Sequence, residues 1–205
     1  MKRMNIARVR SMCSFVILSL AASAQGAELS TAIVGRSKPT WSNLPSATGQ
    51  KHSLADLDDK DIVVIAVTCN HCPLALEYFD RLKQFAETHA GKGGKAALVA
   101  ISCSNQETDQ LPRMKELAER NGFNFPYLHD ASQQIGRQLG ATKTPQFFIL
   151  DRSRTLVYRG AWDDNVNAVK VKQHFVEDAV RALIAGKSLP IAETKAFGCM
   201  IGYDK

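Results

Sequence analysis

The sequence predicts an α/β domain, a central mixed sheet with helices on both faces, led in by an N-terminal β-hairpin. Two continuous runs of strand formers, Ile62–Val67 and Ala96–Ile101, read as strands buried on both faces. The stretch between them is long enough for a helical crossover, which makes those strands parallel neighbours. Late in the chain, two more apolar runs are joined by the short turn Asp151–Arg154, the signature of an antiparallel hairpin.

The elements follow in order. Met1–Arg10 carries Lys2, Arg3, Arg8 and Arg10; the apolar stretch Cys13–Ala22 and the small-residue run Ala24–Ala27 come next. This pattern is that of a secretory signal peptide over residues 1–27, and the apolar run is shorter than the ~20 residues a membrane span needs. The expected product is periplasmic or secreted, with no stable membrane span after cleavage. Without the leader, 22 of the 26 basic residues remain against 20 acidic ones, so the basic character of the whole chain is largely the leader's. A nucleic-acid partner thereby loses its electrostatic support. The remainder is long enough for one domain, placed at 28–186, with a tail over 187–205.

Trp41–Leu54 reads as the N-terminal hairpin and Ser53–Leu57 as one helical turn. A helix is expected from Pro73 to Ala90, because Ala75, Phe79, Leu82 and Ala86 recur on one face and Tyr78 and Phe85 widen it. Pro73 suits a first turn, and the glycines from Gly91 end the helix. After Ala96–Ile101 come a helix over Leu111–Asn121, a short edge strand at Phe125–Leu128 and a short helix over Ser132–Leu139. Gln146–Leu150 and Thr155–Gly160 form the late hairpin, and a final helix is expected over Ala168–Ala185 with Val171 and Phe175 in its buried stripe.

Four cysteines follow the leader: Cys69, Cys72, Cys103 and Cys199. The first two sit where the central strand meets a helix, in the run Cys69-Asn70-His71-Cys72-Pro73. A bridge closing so small a loop stabilises little and suits redox chemistry. A helix N-terminus favours thiolate, so Cys69 is expected to be the acidified, nucleophilic thiol, with Cys72 placed to swing onto its sulfur. A two-cysteine half of a zinc site is the alternative, but no second ligand pair has metal spacing.

With these elements placed, the chain resembles the thioredoxin-like superfamily over about Trp41–Ile201. The resemblance rests on the strand ending in Cys69-Asn70-His71-Cys72, on Thr144-Pro145 before an apolar strand, and on the terminal ββα. The extra helix and strand between Cys103 and Asp130, with Gly198-Cys199-Met200-Ile201 near the end, are similar to the redoxin branch and its peroxiredoxin-like members. The resemblance implies a thioredoxin-like fold with a redoxin-type helix–strand insertion, an exposed attacking thiol at Cys69 and a buried resolving one at Cys72. It implies tuning by His71 with Asn70 as a second donor, and a cis-proline loop at Thr144-Pro145 able to pair with a substrate chain. The implied activity is thiol–disulfide exchange with protein or small-thiol partners and an electron donor or acceptor, without a cofactor or metal. The pair is expected to be more oxidising than thioredoxin's, at about −270 mV.

The chain also departs from this branch. The central-strand position that usually carries a buried acid is Val63, and Glu77 is offset from the site. The peroxidase pattern Pro-x-x-x-Thr-x-x-Cys is absent, since Thr68 directly adjoins Cys69. Thiol peroxidase, favoured by the branch resemblance and the spare cysteines but opposed by this missing pattern, is the first rival activity. A non-catalytic copper or zinc carrier using Cys69, His71, Cys72 and Cys199 is the second. Cys103 ends a strand parallel to the central one and is expected at the same sheet edge, as an accessory thiol or as a small apolar residue. Cys199 lies in an apolar cluster near the end, so the tail is expected to dock and bring it toward the other thiols.

Overall fold

The computed structural model describes residues 32–91 and 93–204, together with Met1. The leader expected at 1–27 lies outside the described residues apart from Met1. Among the described residues no helix is long and apolar enough to cross a membrane.

The N-terminal hairpin is minimal: β1 (Leu44–Pro45) pairs antiparallel with β2 (Lys51–His52), and a 3-10 turn follows at Leu54–Leu57. The central strand β3 (Ile62–Thr68) is buried at every position. It lies between β4 (Ala96–Ser102), in parallel, and β7 (Gln146–Leu150), antiparallel. Beyond β4 runs β5 (Tyr127–His129) in parallel, and beyond β7 runs β8 (Leu156–Gly160) antiparallel, so the five-stranded order is β5-β4-β3-β7-β8. This is the mixed sheet that the apolar runs and the late hairpin predict.

The period-two geometry of a strand sends alternate residues to opposite faces. Val64 and Ala66 face a core built with Tyr78, Phe79, Leu82, Met114, Val176 and Val180. Val63, Ile65 and Val67 face the other, with Trp41, Leu54, Ile135 and Leu139. The helices α2 (Phe79–Phe85), α3 (Leu111–Asn121) and α5 (Phe175–Ile184) cover the first face and α4 (Gln134–Leu139) the second, while α1 (Pro73–Leu76) packs through Ala75 with Cys69 and Cys72.

Two helices differ from expectation. The stretch 73–90 is α1, a break at Glu77–Tyr78, α2, and a π-helical turn at Ala86–Ala90. The predicted apolar stripe is nonetheless buried throughout, from Ala75 to Ala86. The break coincides with anchoring of the buried Tyr78: its hydroxyl donates to Asp163 and the Arg81 guanidinium stacks on its ring. The last helix begins at Phe175, not Ala168. Asp164 Oδ1 accepts the backbone N–H groups of Lys172 and Gln173. Residues 168–170 instead form a 3-10 turn capped by Asn167, with Val169 exposed and Val171 outside the core.

The tail crosses the body. Thr194 is held by Tyr158 and by the N–H of Ala161, and Leu189 packs against the first core while Ile191 stays exposed. Further on, β9 (Cys199–Met200) pairs antiparallel with β6 (Lys143–Thr144), in a two-stranded sheet separate from the main one.

Candidate active site

β3 carries its chain to Cys69 at the carboxyl edge of the sheet. Three residues on, Cys72 caps the four-residue α1, with Pro73 in the first turn. Both cysteines are fully buried, and neither forms a disulfide in this structure. The expected exposed position of Cys69 is corrected accordingly: its sulfur is covered by the cis-proline loop and by chain returning over the sheet edge. It is reached through a cavity of about 380 Å³ whose walls include Cys69, His71, Cys103, Thr144 and Met200–Asp204.

The peptide bond between Thr144 and Pro145 is cis. Thr144 meets both thiols, its hydroxyl lying 3.2 Å from Cys69 Sγ and its carbonyl accepting from the Cys72 thiol at 2.9 Å. His71 Nε2 lies 3.8 Å from Cys69 Sγ. The other ring nitrogen, Nδ1, is 2.5 Å from Asp109 Oδ2, and Asp109 is wholly buried. The second oxygen of Asp109 accepts the N–H of Asn70. Asn70's side chain donates to Thr108 O and accepts from Tyr127, so it ties two loops together and is not the expected donor to Cys69.

Burial, first of all, pushes the Cys69 thiol up to about 12, and the Asp109 and Cys72 charges add to this against the Thr144 hydroxyl and the Cys72 N–H. Cys72 goes the other way. Burial also opposes its thiolate, but the Cys199 thiol and amide, the Ala75 amide and the Thr144 hydroxyl hold its pKa below the ordinary value. The expectation that Cys69 is the acidified thiol is thus reversed. The Ala75 N–H of the first turn serves Cys72, and a helix of four residues has little macrodipole to offer the strand end.

Cys103 follows Ser102, which pairs in register with Thr68, so it leaves the sheet beside Cys69 and lines the same cavity. Its thiol faces Asp130 at 3.7 Å, and burial followed by that carboxylate raises its pKa well above the ordinary value. Cys199 packs against Cys69, Cys72 and Ala75. Val63 lies in the core and Glu77 is exposed on the helix break, so neither supplies an acid to the pair.

Asp109 is the residue that sequence reasoning missed. It ends a short 3-10 turn, Glu107–Asp109, in a polar loop where one acid among several has no distinguishing pattern. The available signal was topological, since that loop leaves a strand parallel to β3 at the edge where sites gather. The donor atoms of Cys69, His71 and Asp109 lie within 4.8 Å of one another and could together hold a metal ion. As placed, however, both oxygens of Asp109 are engaged by Asn70 and His71, an arrangement that orients the ring.

A Cys-x-x-Cys pair at a strand–helix junction, facing a cis-proline across a mixed sheet, defines a thioredoxin-like protein. The comparisons make the assignment narrower: the Redoxin family pattern matches residues 32–174, and the chain belongs to that family. A crystal structure of a hypothetical protein from Sinorhizobium meliloti is similar, with TM-score 0.76, 32% identity, and coverage of 83% of this chain and 94% of that one. An uncharacterized conserved protein from Geobacillus kaustophilus gives TM-score 0.77 and 29% identity, over 85% of this chain and 94% of its own. Peroxidoxin BcpB from Mycobacterium tuberculosis shares the fold at 21% identity and TM-score 0.59, over 77% of this chain and 99% of that one. No curated protein matches.

Proposed function

We propose that the protein is an exported thiol–disulfide oxidoreductase that cycles a Cys69–Cys72 disulfide with protein or small-thiol partners. The observation that carries this reading is the convergence of both sulfurs on Thr144 of the cis-proline loop, with His71 between Cys69 and a buried carboxylate. Export rests on the leader-like residues 1–27.

The geometry supports a division of labour. Cys69 opens onto the cavity and meets the substrate disulfide. Because burial holds it protonated, it needs a base, and His71 Nε2 is placed to accept the proton while Asp109 fixes the ring through Nδ1. Attack on one substrate sulfur forms a mixed disulfide and releases the other as a thiol. The Cys72 thiolate then attacks Cys69 Sγ, the substrate's second sulfur leaves, and the Cys69–Cys72 disulfide remains. Two electrons have passed from the two cysteines to the substrate, and the steps reverse when the partner is a dithiol.

The test is oxidation of the reduced full-length protein by oxidised glutathione, followed by acid quench, alkylation and peptide mapping. A Cys69–Cys72 disulfide in the wild type, and trapped Cys69–glutathione mixed disulfide in Cys72→Ser, is the expected result. Rapid stoichiometric loss of hydrogen peroxide, abolished by Cys69→Ser, would replace this reading with a thiol peroxidase. Stoichiometric copper or zinc in protein purified under reducing conditions, lost in His71→Ala, would replace it with a metal carrier.

A further inference from the structure

The edge at which a thioredoxin-like site can pair with an extended chain is occupied here by the protein itself. Strand β9 lies antiparallel on β6 with Cys199 directly opposite Thr144, and the N–H of Ile201 continues the pairing onto Thr142 O. Such pairing fixes register through the backbone and leaves the side chain to choose its pocket. The side chain so placed is a thiol, packed on Cys69, Cys72 and Ala75. Gly198 is required for the approach, since a Cβ there would fall 2.1 Å from Thr144 O. The following residues are fastened on the far side: Gln133 bonds Gly202 O and the Asp204 N–H, and the Tyr203 hydroxyl donates to Ala141 O.

We propose that Cys199 is a third redox thiol, delivered by β9 in the manner of a substrate chain, and that the disulfide passes from Cys69–Cys72 to Cys72–Cys199. This inference rests on the thiol–disulfide reading above. In the oxidised protein Cys199, as thiolate, attacks Cys72 Sγ. The Cys72–Cys199 bond forms as the Cys69–Cys72 bond breaks, and the electron pair leaves on Cys69 Sγ, which gains one proton for the one Cys199 lost. No electrons are gained or lost overall, and the oxidant remains the substrate disulfide. The packing of Cys199 on the cluster that holds Cys72 supports their mutual reach. The transfer moves a disulfide from two wholly buried sulfurs to one that includes a half-buried partner, and it returns a free Cys69 to the cavity. A reductant then meets Cys199 at the surface without entering the substrate's route.

The experiment oxidises the full-length protein with one equivalent of oxidised glutathione and maps disulfides over time after acid quench. The Cys69–Cys72 disulfide should appear first, followed by Cys72–Cys199 with Cys69 alkylatable. In Gly198→Ala, as overpacking lifts β9 from the loop, the second disulfide should form about tenfold more slowly relative to the first than it does in the wild type. Full alkylation of Cys199 at every time, with Cys69–Cys72 formed, would overturn this inference and leave the proposed function standing. Equal Cys72–Cys199 rates in wild type and Gly198→Ala would overturn the role of β9. Absence of both disulfides would overturn the proposed function and this inference with it.

Discussion

Cys69 and Cys72 are the same side chain, three positions apart, both at 0% exposure and both against Thr144, yet their surroundings drive them in opposite directions. On the Cys69 side stand burial and the Asp109 carboxylate, which favour the thiol. On the Cys72 side stand the N–H of the first helical turn and the thiol and amide of Cys199, which favour the thiolate. Burial is the largest influence on both, and it prevails at Cys69 but is outweighed at Cys72. The most important of the donors that outweigh it there arrive from the last residues of the chain. What the contrast teaches is that a Cys-x-x-Cys motif names two thiols without assigning their acidity.

The sharpest way to break the contrast is to remove the base from the Cys69 side. In a Cys72→Ser, Cys199→Ser background, His71→Ala should slow alkylation of Cys69 at neutral pH by about a hundredfold, the lower range for a positioned general base. A change of less than about threefold would show that His71 does not carry Cys69's proton.

A second contrast lies in how stability follows pH. Folded Cys69 stays protonated up to about 12, whereas the unfolded thiol ionises near 9.0. Between those limits the unfolded state binds fewer protons, so stability falls as pH rises, by up to about 1.4 kcal/mol per pH unit. Below that window the contribution of Cys69 is fully present. Cys72 has the opposite sign: its folded pKa is lowered, so its contribution is present above the unfolded value and lost as pH falls through the folded one. Urea unfolding of wild type, Cys69→Ser and Cys72→Ser from about pH 6 to about pH 11 checks both, with the decline above about pH 9 shallower in Cys69→Ser and the Cys72 gain on approaching about pH 9 from below lost in Cys72→Ser.

The smallest effect isolates one donor. Cys199→Ala should move the titration of Cys72 upward and slow its alkylation near neutral pH by about threefold, because the Ala75 amide and Thr144 remain. An unchanged titration would mean that the tail thiol is only a neighbour. The tail's other anchors, Thr194 and Tyr203, are retained in that variant, so the fold should be undisturbed.

By itself the sequence determined the frame. Continuous apolar runs at Ile62–Val67 and Ala96–Ile101, short and rich in strand formers, marked the central strands. The stripe from Ala75 to Ala86 marked the covering helix face even where the helix breaks, and Cys69, Cys72 and Thr144-Pro145 marked the sheet edge where chemistry gathers. These are short-range patterns, set by the period of the backbone and by burial of what is apolar. The tertiary structure alone decided the partners: Asp109 meets His71 across 38 positions of sequence, and Cys199 enters the site because Gly198 lets the tail lie on the cis-proline loop. The start of the final helix was likewise decided at a distance, by Asp164 taking the amides of Lys172 and Gln173. Hydrogen bonds and charges act over a few ångströms in space whatever their separation along the chain, so which thiol is acidic was fixed by loop and tail packing and not by the spacing of the motif.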